Sequence, residues 1–183
     1  MKIPEQKKDV SRSADFKESV FKIASTNLAF DILSSKLYED VPLAIVRELS
    51  ANAYDSHVVT GKKDTPFEVT VPNSMFPEFR IRDFGTGISP EDIEDIYTVY
   101  FESTKRNNND EIGGLGLGSK TPFAYGDIFT VTSYQKGRKF TYSAFKNENN
   151  LPTIALLDES DTDEPDRDWE TITISKRCFR SKT

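Results

Sequence analysis

The stretch RELSANAYD, from Arg47 to Asp55, carries an acid, an amide and a second acid at helical spacing. Glu48, Asn52 and Asp55 stand at positions i, i+4 and i+7, so a helix stacks their side chains on one face. Small and apolar residues flank them on the same arc, where burial of polar groups without partners would be costly. On spacing alone, a polar stripe that faces solvent is the favoured interpretation.

A second group of residues lies in IRDFGTGIS, where Asp83 ends a predicted strand and precedes Gly85 and Gly87. A buried carboxylate there could accept a hydrogen bond from an exocyclic amine. The glycines would let a flat ring lie against the backbone. The same Asp-x-Gly-x-Gly pattern is equally typical of a turn that ends a strand, so both interpretations stay open.

The third group is a glycine run that leads into a predicted short helix, and its glycines are Gly113, Gly114, Gly116 and Gly118. A glycine-rich turn at a helix N-terminus presents free N–H groups and a positive dipole end, which suits phosphate. It is not a P-loop, because Ser119 and Lys120 follow in the opposite order. Taken alone, the run is also compatible with a flexible linker.

Composition limits the class of protein. With 183 residues the chain is long enough for one domain with a substantial core, and its net charge of −6 argues against non-specific nucleic-acid binding. The single cysteine, Cys178, indicates a reducing compartment. No run of apolar residues predicts a signal peptide or a membrane span. We therefore expect a soluble, cytoplasmic protein without direct membrane insertion.

The pattern along the chain predicts an α+β fold. We expect a flexible arm over residues 1–17, one domain over 18–176 and a short basic tail over 177–183. Two helices precede a strand pair, a third helix begins at Ser89 and Pro90, and four strands close the domain. The acidic stretch 158–168 is expected to be an exposed connection, and the only histidine, His57, an ordinary surface residue.

Taken in this order, RELSANAYD, RDFGTGIS and IGGLGLGSK resemble the three ATP-binding boxes of the GHKL superfamily. That superfamily includes gyrase B, the ninety-kilodalton heat-shock chaperones, histidine kinases and MutL. The chain is most similar to rIIA-like phage proteins, the rapid-lysis A group, over about residues 21–157. The resemblance implies the Bergerat fold, a two-layer α/β sandwich in which helices cover one face of a mixed β-sheet.

The resemblance implies a role for each motif residue. Glu48 would align or activate the water that attacks the γ-phosphate, and Asn52 would coordinate Mg²⁺ through its amide oxygen. Asp55 would support the site or reach the nucleotide through water. Asp83 would read the adenine amino group.

Further contacts to the nucleotide are implied along the chain. Gly85 and Gly87 would let the base approach, and Ile88 would pack against it. Residues 101–118 would form a lid, in which Lys105 is either a phosphate contact or a solvated loop lysine. Thr171 would join the adenine network, although Glu170 stands where the family has glycine. The backbone holding the phosphates would be that of Gly113, Gly114, Leu115, Gly116, Leu117 and Gly118.

The function implied is that of an ATP–Mg²⁺-dependent conformational switch in phage lysis control or in countering host exclusion, within the host cytoplasm. Slow hydrolysis is expected, because no following domain supplies a cation to the γ-phosphate. The partners implied are a second copy of the chain, bound through the N-terminal region, and a phage or host protein. A protein serine kinase of the single-domain kind and a non-catalytic partner-binding module are the alternatives. A histidine kinase is disfavoured.

Overall fold

The computed structural model describes residues 29–30, 32, 38–93, 118–162 and 169–175. The predicted arm and tail lie outside this part of the chain, as do most of the first predicted helix and the continuation of the third. The described helical elements are α1 (Val41–Val59), the single turn α2 (Pro90–Asp92) and a 3-10 helix (Gly118–Ala124). The strands are β1 (Glu68–Thr70), β2 (Glu78–Asp83), β3 (Ile128–Gln135), β4 (Arg138–Lys146), β5 (Pro152–Asp161) and β6 (Trp169–Ser175).

Helix α1 begins with a side-chain cap and a proline in its first turn. The carboxylate of Asp40 accepts a hydrogen bond from the Leu43 N–H at 3.0 Å, and Pro42 occupies the first turn, where its missing N–H costs nothing. Buried side chains of the helix, including Leu49 and Ala53, pack into the core. The third predicted helix also begins as expected, with the Ser89 hydroxyl accepting from the Asp92 N–H.

Helix α1 ends at a left-handed glycine. Gly61 has a φ of +72°, and its N–H donates to the Val58 carbonyl at 3.1 Å. The Lys62 N–H donates to the His57 carbonyl at 2.7 Å, which completes a Schellman motif. The chain therefore leaves the helix in a fixed direction, and Lys62 is held at its end.

The six strands form one sheet in the order β1-β2-β6-β3-β4-β5, and every pairing among them is antiparallel. The predicted mixed sheet is therefore wrong for the described strands. The reason is the connectivity. Strands β3, β4 and β5 run as successive hairpins, the first through Lys136 and Gly137 with positive φ angles, and β6 returns antiparallel between β2 and β3.

Alternation along the strands divides the sheet into two faces. Phe79 and Ile81 on β2, Val131 on β3 and Ile172 on β6 point to one face and share a core with Leu49 of α1. Ile93, directly after α2, and Phe123, on the 3-10 helix, belong to the same core. The architecture is α+β, with the helical elements packed on this inner face.

The first part of the acidic stretch is strand rather than loop. Residues 158–161 extend β5, and they pair with the start of β4. Arg138 lies opposite Asp161 and forms an ion pair with Glu159 at 3.0 Å, so cross-strand charge complementarity explains the extension. Among the described residues, no helix combines the length and apolar character needed to cross a membrane.

Candidate functional site

The second glycine run ends against the polar face of α1. A Cβ at Gly118 would lie 3.2 Å from Glu48 Oε2 and 3.2 Å from Asn52 Nδ2. Both side chains are half-buried, so they do not form the solvent-facing stripe that spacing alone favoured. The fold thus brings the carboxylate of Glu48, the amide of Asn52 and the backbone of Gly118 together.

The two oxygens of Glu48 have different surroundings. Oε1 accepts hydrogen bonds from Arg47 Nη2 at 2.7 Å and Nε at 3.2 Å, while Oε2 faces Gly118. The Arg47 guanidinium is largely exposed, whereas the Glu48 side chain is 24% exposed. Oε1 is therefore already occupied by the Arg47 guanidinium. Sequence reasoning missed Arg47, whose only signal is its position directly before the acid.

The first glycine segment meets the same helix one turn beyond Asn52. A Cβ at Gly85 would overlap the Ser56 hydroxyl oxygen, lying 2.6 Å from the Ser56 Cβ as well. The Thr86 N–H donates to Ser56 Oγ at 3.3 Å. The close approach of the loop to α1 therefore requires glycine at position 85. This contact fixes the loop after β2 to α1.

Asp83 is a buried carboxylate at the end of β2, with only 7% of the residue exposed. Its Oδ1 accepts a hydrogen bond from the Gly85 N–H at 2.9 Å. Burial raises the pKa of Asp83, and the hydrogen bonds from the Gly85 N–H and the Ser56 hydroxyl are the largest opposing effects. The carboxyl is thus held at the start of the loop by a hydrogen bond from the loop's own backbone.

The same loop is anchored to β3 at its far end. Ser133 Oγ accepts from the Ile88 N–H at 2.7 Å and donates to the Ile88 carbonyl at 2.9 Å. Gly87 has a φ of +63°, and a Cβ there would overlap the Tyr134 carbonyl oxygen. Ile88 is half-buried against the core. The loop therefore crosses the end of the sheet from β2 to β3 in one defined path.

Two further predictions concern Asp55 and His57 on α1. Asp55 is 1% exposed, so its carboxylate lies inside the fold. The prediction that His57 is a surface residue is wrong, since it is also 1% exposed. The imidazole is buried because it joins three segments: its Nδ1 lies 2.9 Å from the Thr65 carbonyl, and its Nε2 accepts from the Phe84 N–H at 2.7 Å.

Thr171 is not brought to the side of the sheet that holds Asp83. It pairs with Arg82 on β2 and Thr132 on β3, and directly paired residues share a face. Its side chain therefore points to the outer face, where the Arg82 guanidinium lies 3.9 Å from the Trp169 ring centroid. Glu170 is the residue paired with Asp83.

Lys120 is a charged residue near the site that sequence reasoning passed over. It lies two residues after Gly118 on the 3-10 helix and is 5% exposed. Burial lowers the pKa of Lys120 to about 8. Its signal in the sequence is the Ser-Lys pair directly after the glycine run, which was interpreted only as a departure from the P-loop pattern.

The remaining predicted phosphate contacts fall outside the described residues, and they are Lys105, Gly113, Gly114, Leu115, Gly116 and Leu117. Within the described part of the chain, no group of three or more His, Cys, Asp or Glu side chains is arranged to hold a metal ion. The amide of Asn52, which the resemblance implies as a ligand for Mg²⁺, lies beside Gly118.

Comparison with models of protein families gives no match, and comparison with curated proteins gives none either.

Proposed function

We propose that this chain binds ATP with Mg²⁺ and acts as a nucleotide-dependent conformational switch with slow hydrolysis. One observation carries the proposal: a single helix, α1, contacts both glycine segments. Gly118 lies against Glu48 and Asn52, whereas Gly85 lies against Ser56 beside Asp83. Glu48 and Ser56 are eight residues apart, roughly 12 Å along the helix axis. This separation suits a ligand with a base at one end and phosphates at the other.

At the base end, Asp83 would accept a hydrogen bond from the exocyclic amine of adenine. The buried, hydrogen-bonded carboxylate supports this role. Guanine has a carbonyl oxygen at the corresponding position, so two hydrogen-bond acceptors would face each other and guanine would be disfavoured. Gly85 and Gly87 hold the loop that follows Asp83 close to Ser56 and to Tyr134.

At the phosphate end, the backbone at Gly118 would contact the phosphate chain. Asn52 would contribute one oxygen to Mg²⁺, which ordinarily takes its other ligands from phosphates and water. When bound, the ion would neutralise phosphate charge. Lys120 offers a cation on the 3-10 helix that follows Gly118.

Slow hydrolysis is proposed from the state of Glu48. A carboxylate that aligns or deprotonates water works best as a free base within hydrogen-bond reach of it. One oxygen of Glu48 is already paired with Arg47, and the other faces Gly118. Activation would require that Oε2, or the released Oε1, reach the water. A conformational change that draws Arg47 away would provide this.

The test is a calorimetric titration of ATP with Mg²⁺ into the wild-type chain and into Asp83→Asn, with GTP titrated in parallel as the comparison nucleotide. Asp158→Asn, an exposed aspartate on the edge strand β5, is the matched control. We expect wild type and the control to prefer ATP and Asp83→Asn to lose that preference. Failure of wild type to bind ATP would overturn the proposal.

Hydrolysis is tested separately with Glu48→Gln, which keeps the size of the side chain. Release of phosphate should fall by about 100-fold while ATP affinity stays near that of wild type. If wild type binds ATP without any turnover, the chain is a non-catalytic binding module. Transfer of the γ-phosphate to a protein in a lysate would instead support the serine-kinase alternative.

The biological part of the proposal rests on the resemblance to rIIA-like proteins. The chain would act in the cytoplasm of an infected host, in lysis control or against host exclusion, through a phage or host partner or a second copy. Expression of the chain should restore growth of a phage that lacks its rapid-lysis A protein on an excluding host. Asp83→Asn should fail to restore growth at equal expression.

A further inference from the structure

The two peptide groups that flank Phe84 are both held by side chains from the end of α1. The Phe84 N–H donates to His57 Nε2 at 2.7 Å, and Lys62 Nζ donates to the Phe84 carbonyl at 2.8 Å. Phe84 separates Asp83 from Gly85. His57 thus fixes the peptide that begins at Asp83, and Lys62 fixes the peptide that ends at Gly85.

The hydrogen bonds of His57 define its protonation pattern. A carbonyl oxygen only accepts and a backbone N–H only donates. The ring therefore carries its proton on Nδ1, which faces the Thr65 carbonyl, and accepts at Nε2 from Phe84. The rings of Phe67 and Phe84 pack near the imidazole, at centroid distances of 6.4 Å and 6.2 Å. Both nitrogens are used and the side chain is enclosed, so it is a rigid acceptor.

Lys62 acts on the peptide that holds the carboxylate of Asp83. The N–H of that peptide belongs to Gly85, and it donates to Asp83 Oδ1 at 2.9 Å. An ammonium bound to the carbonyl of the same peptide polarises it and strengthens the N–H as a donor. Lys62 is exposed, but the Schellman motif at Gly61 fixes the position from which its side chain reaches across to Phe84.

We propose that His57 and Lys62 are positioning residues that set the base selectivity of Asp83, an inference that rests on the proposed function. The two side chains orient the peptides on either side of Phe84, and these peptides orient the carboxylate. Neither side chain is required to touch the nucleotide. Loss of either contact lets the carboxylate rotate, and discrimination between adenine and guanine falls.

The experiment compares the ratio of ATP to GTP affinity in the full chain. Lys62→Met keeps the aliphatic stem and removes the ammonium, and Lys63→Met, at the neighbouring exposed lysine, is its control. We expect Lys62→Met to reduce the ATP-to-GTP ratio by about fivefold, the equivalent of one hydrogen bond. Lys63→Met should leave the ratio unchanged, and Lys62→Arg should restore most of it.

His57 is tested with two variants because the site is buried. In His57→Gln the side-chain oxygen can take the place of Nε2 and accept from Phe84, whereas His57→Leu has no acceptor. His57→Gln should retain most of the base preference, and His57→Leu should lose it by about tenfold. Circular dichroism of each variant establishes that it is folded before nucleotide is added.

The outcomes separate this inference from the proposed function. If wild type does not bind ATP, the proposed function fails and the inference fails with it. If wild type prefers ATP and folded Lys62→Met and His57→Leu keep the same preference, the inference alone is overturned. Loss of preference in both, with rescue in Lys62→Arg and His57→Gln, supports it, because a merely structural role would change stability without changing the ratio.

Discussion

Gly85 lies so close to Ser56 that a Cβ at position 85 would overlap the serine hydroxyl. This contact joins the loop after β2 to helix α1, although the two residues are 29 positions apart in the sequence. It also places the end of β2, and with it Asp83, beside α1. The need for glycine here comes from the packing of the helix against the loop rather than from the φ angle.

Gly85→Ala is expected to lower the free energy of unfolding by about 3 kcal/mol, because the overlap forces the loop away from α1. Urea denaturation measures the change. Adding Ser56→Gly should recover only part of the loss, since the Ser56 carbonyl carbon would still be 2.9 Å from the new Cβ. Gly61→Ala is the control: its φ is +72° but no atom lies within 4 Å, so only about 1–2 kcal/mol of backbone strain applies. An equal loss in both variants would contradict the packing explanation.

Ser133→Ala should destabilise the fold by about 1–3 kcal/mol, because both polar backbone groups of Ile88 lose their partner. Ser143→Ala serves as the comparison, since Ser143 is also buried but pairs with Thr130 on the outer face of the sheet. Hydrogen exchange at the Ile88 amide should rise in Ser133→Ala. Unchanged protection at Ile88 would show that Ser133 does not anchor the loop.

Gly118→Ala separates stability from binding. Its Cβ would lie 3.2 Å from atoms at the ends of the Glu48 and Asn52 side chains, which can shift by a few tenths of an ångström. We expect the free energy of unfolding to change by less than about 1 kcal/mol. Affinity for ATP with Mg²⁺ should fall by about tenfold, because the methyl group lies where the glycine backbone meets the polar face. Undiminished affinity in a folded variant would argue against phosphate binding at this position.

Asp83→Asn is expected to stabilise the protein at neutral pH while removing adenine preference. Burial raises the pKa of Asp83 above its ordinary value of 3.8, so the folded protein holds this proton to higher pH than the unfolded chain does. The stability of wild type relative to Asp83→Asn should therefore fall as pH rises from about 4 through the folded pKa, and then level off. Unfolding by urea between pH 4 and 7.5 tests this, with Asp158→Asn as control. A difference in stability between wild type and Asp83→Asn that does not change with pH would contradict this prediction.

Comparison of wild type with Lys120→Met should show the opposite pH dependence of stability, at alkaline pH. Burial lowers the pKa of Lys120 from 10.5 to about 8, so the unfolded chain binds the proton more tightly than the folded protein over that interval. The stability of wild type should consequently rise relative to Lys120→Met between about pH 8 and pH 10.5, by on the order of 3 kcal/mol. Lys139→Met, on β4, is the matched control. If the difference in stability between wild type and Lys120→Met does not change with pH across this interval, the amine is not buried.

Local signals in the sequence determined much of the fold. The predicted helix start at Ser89 and Pro90 is confirmed, because it depends on residues within one helical turn. The six strands also follow the predicted pattern, since alternation of side chains is a property of each strand alone. From the sequence, Glu48, Asn52, Asp83 and the glycines were also candidate nucleotide-binding residues.

The tertiary structure alone decided how these elements meet. The insertion of β6 between β2 and β3 makes the described sheet antiparallel, and its register turns Thr171 to the face opposite Asp83. The burial of His57 depends on contacts with Thr65 and Phe84, and the contact between Gly85 and Ser56 depends on how α1 packs. These features arise from residues far apart in the chain. Local periodicity and helix caps do not predict these features, because the contacts stabilise the protein only after the core has brought the segments together.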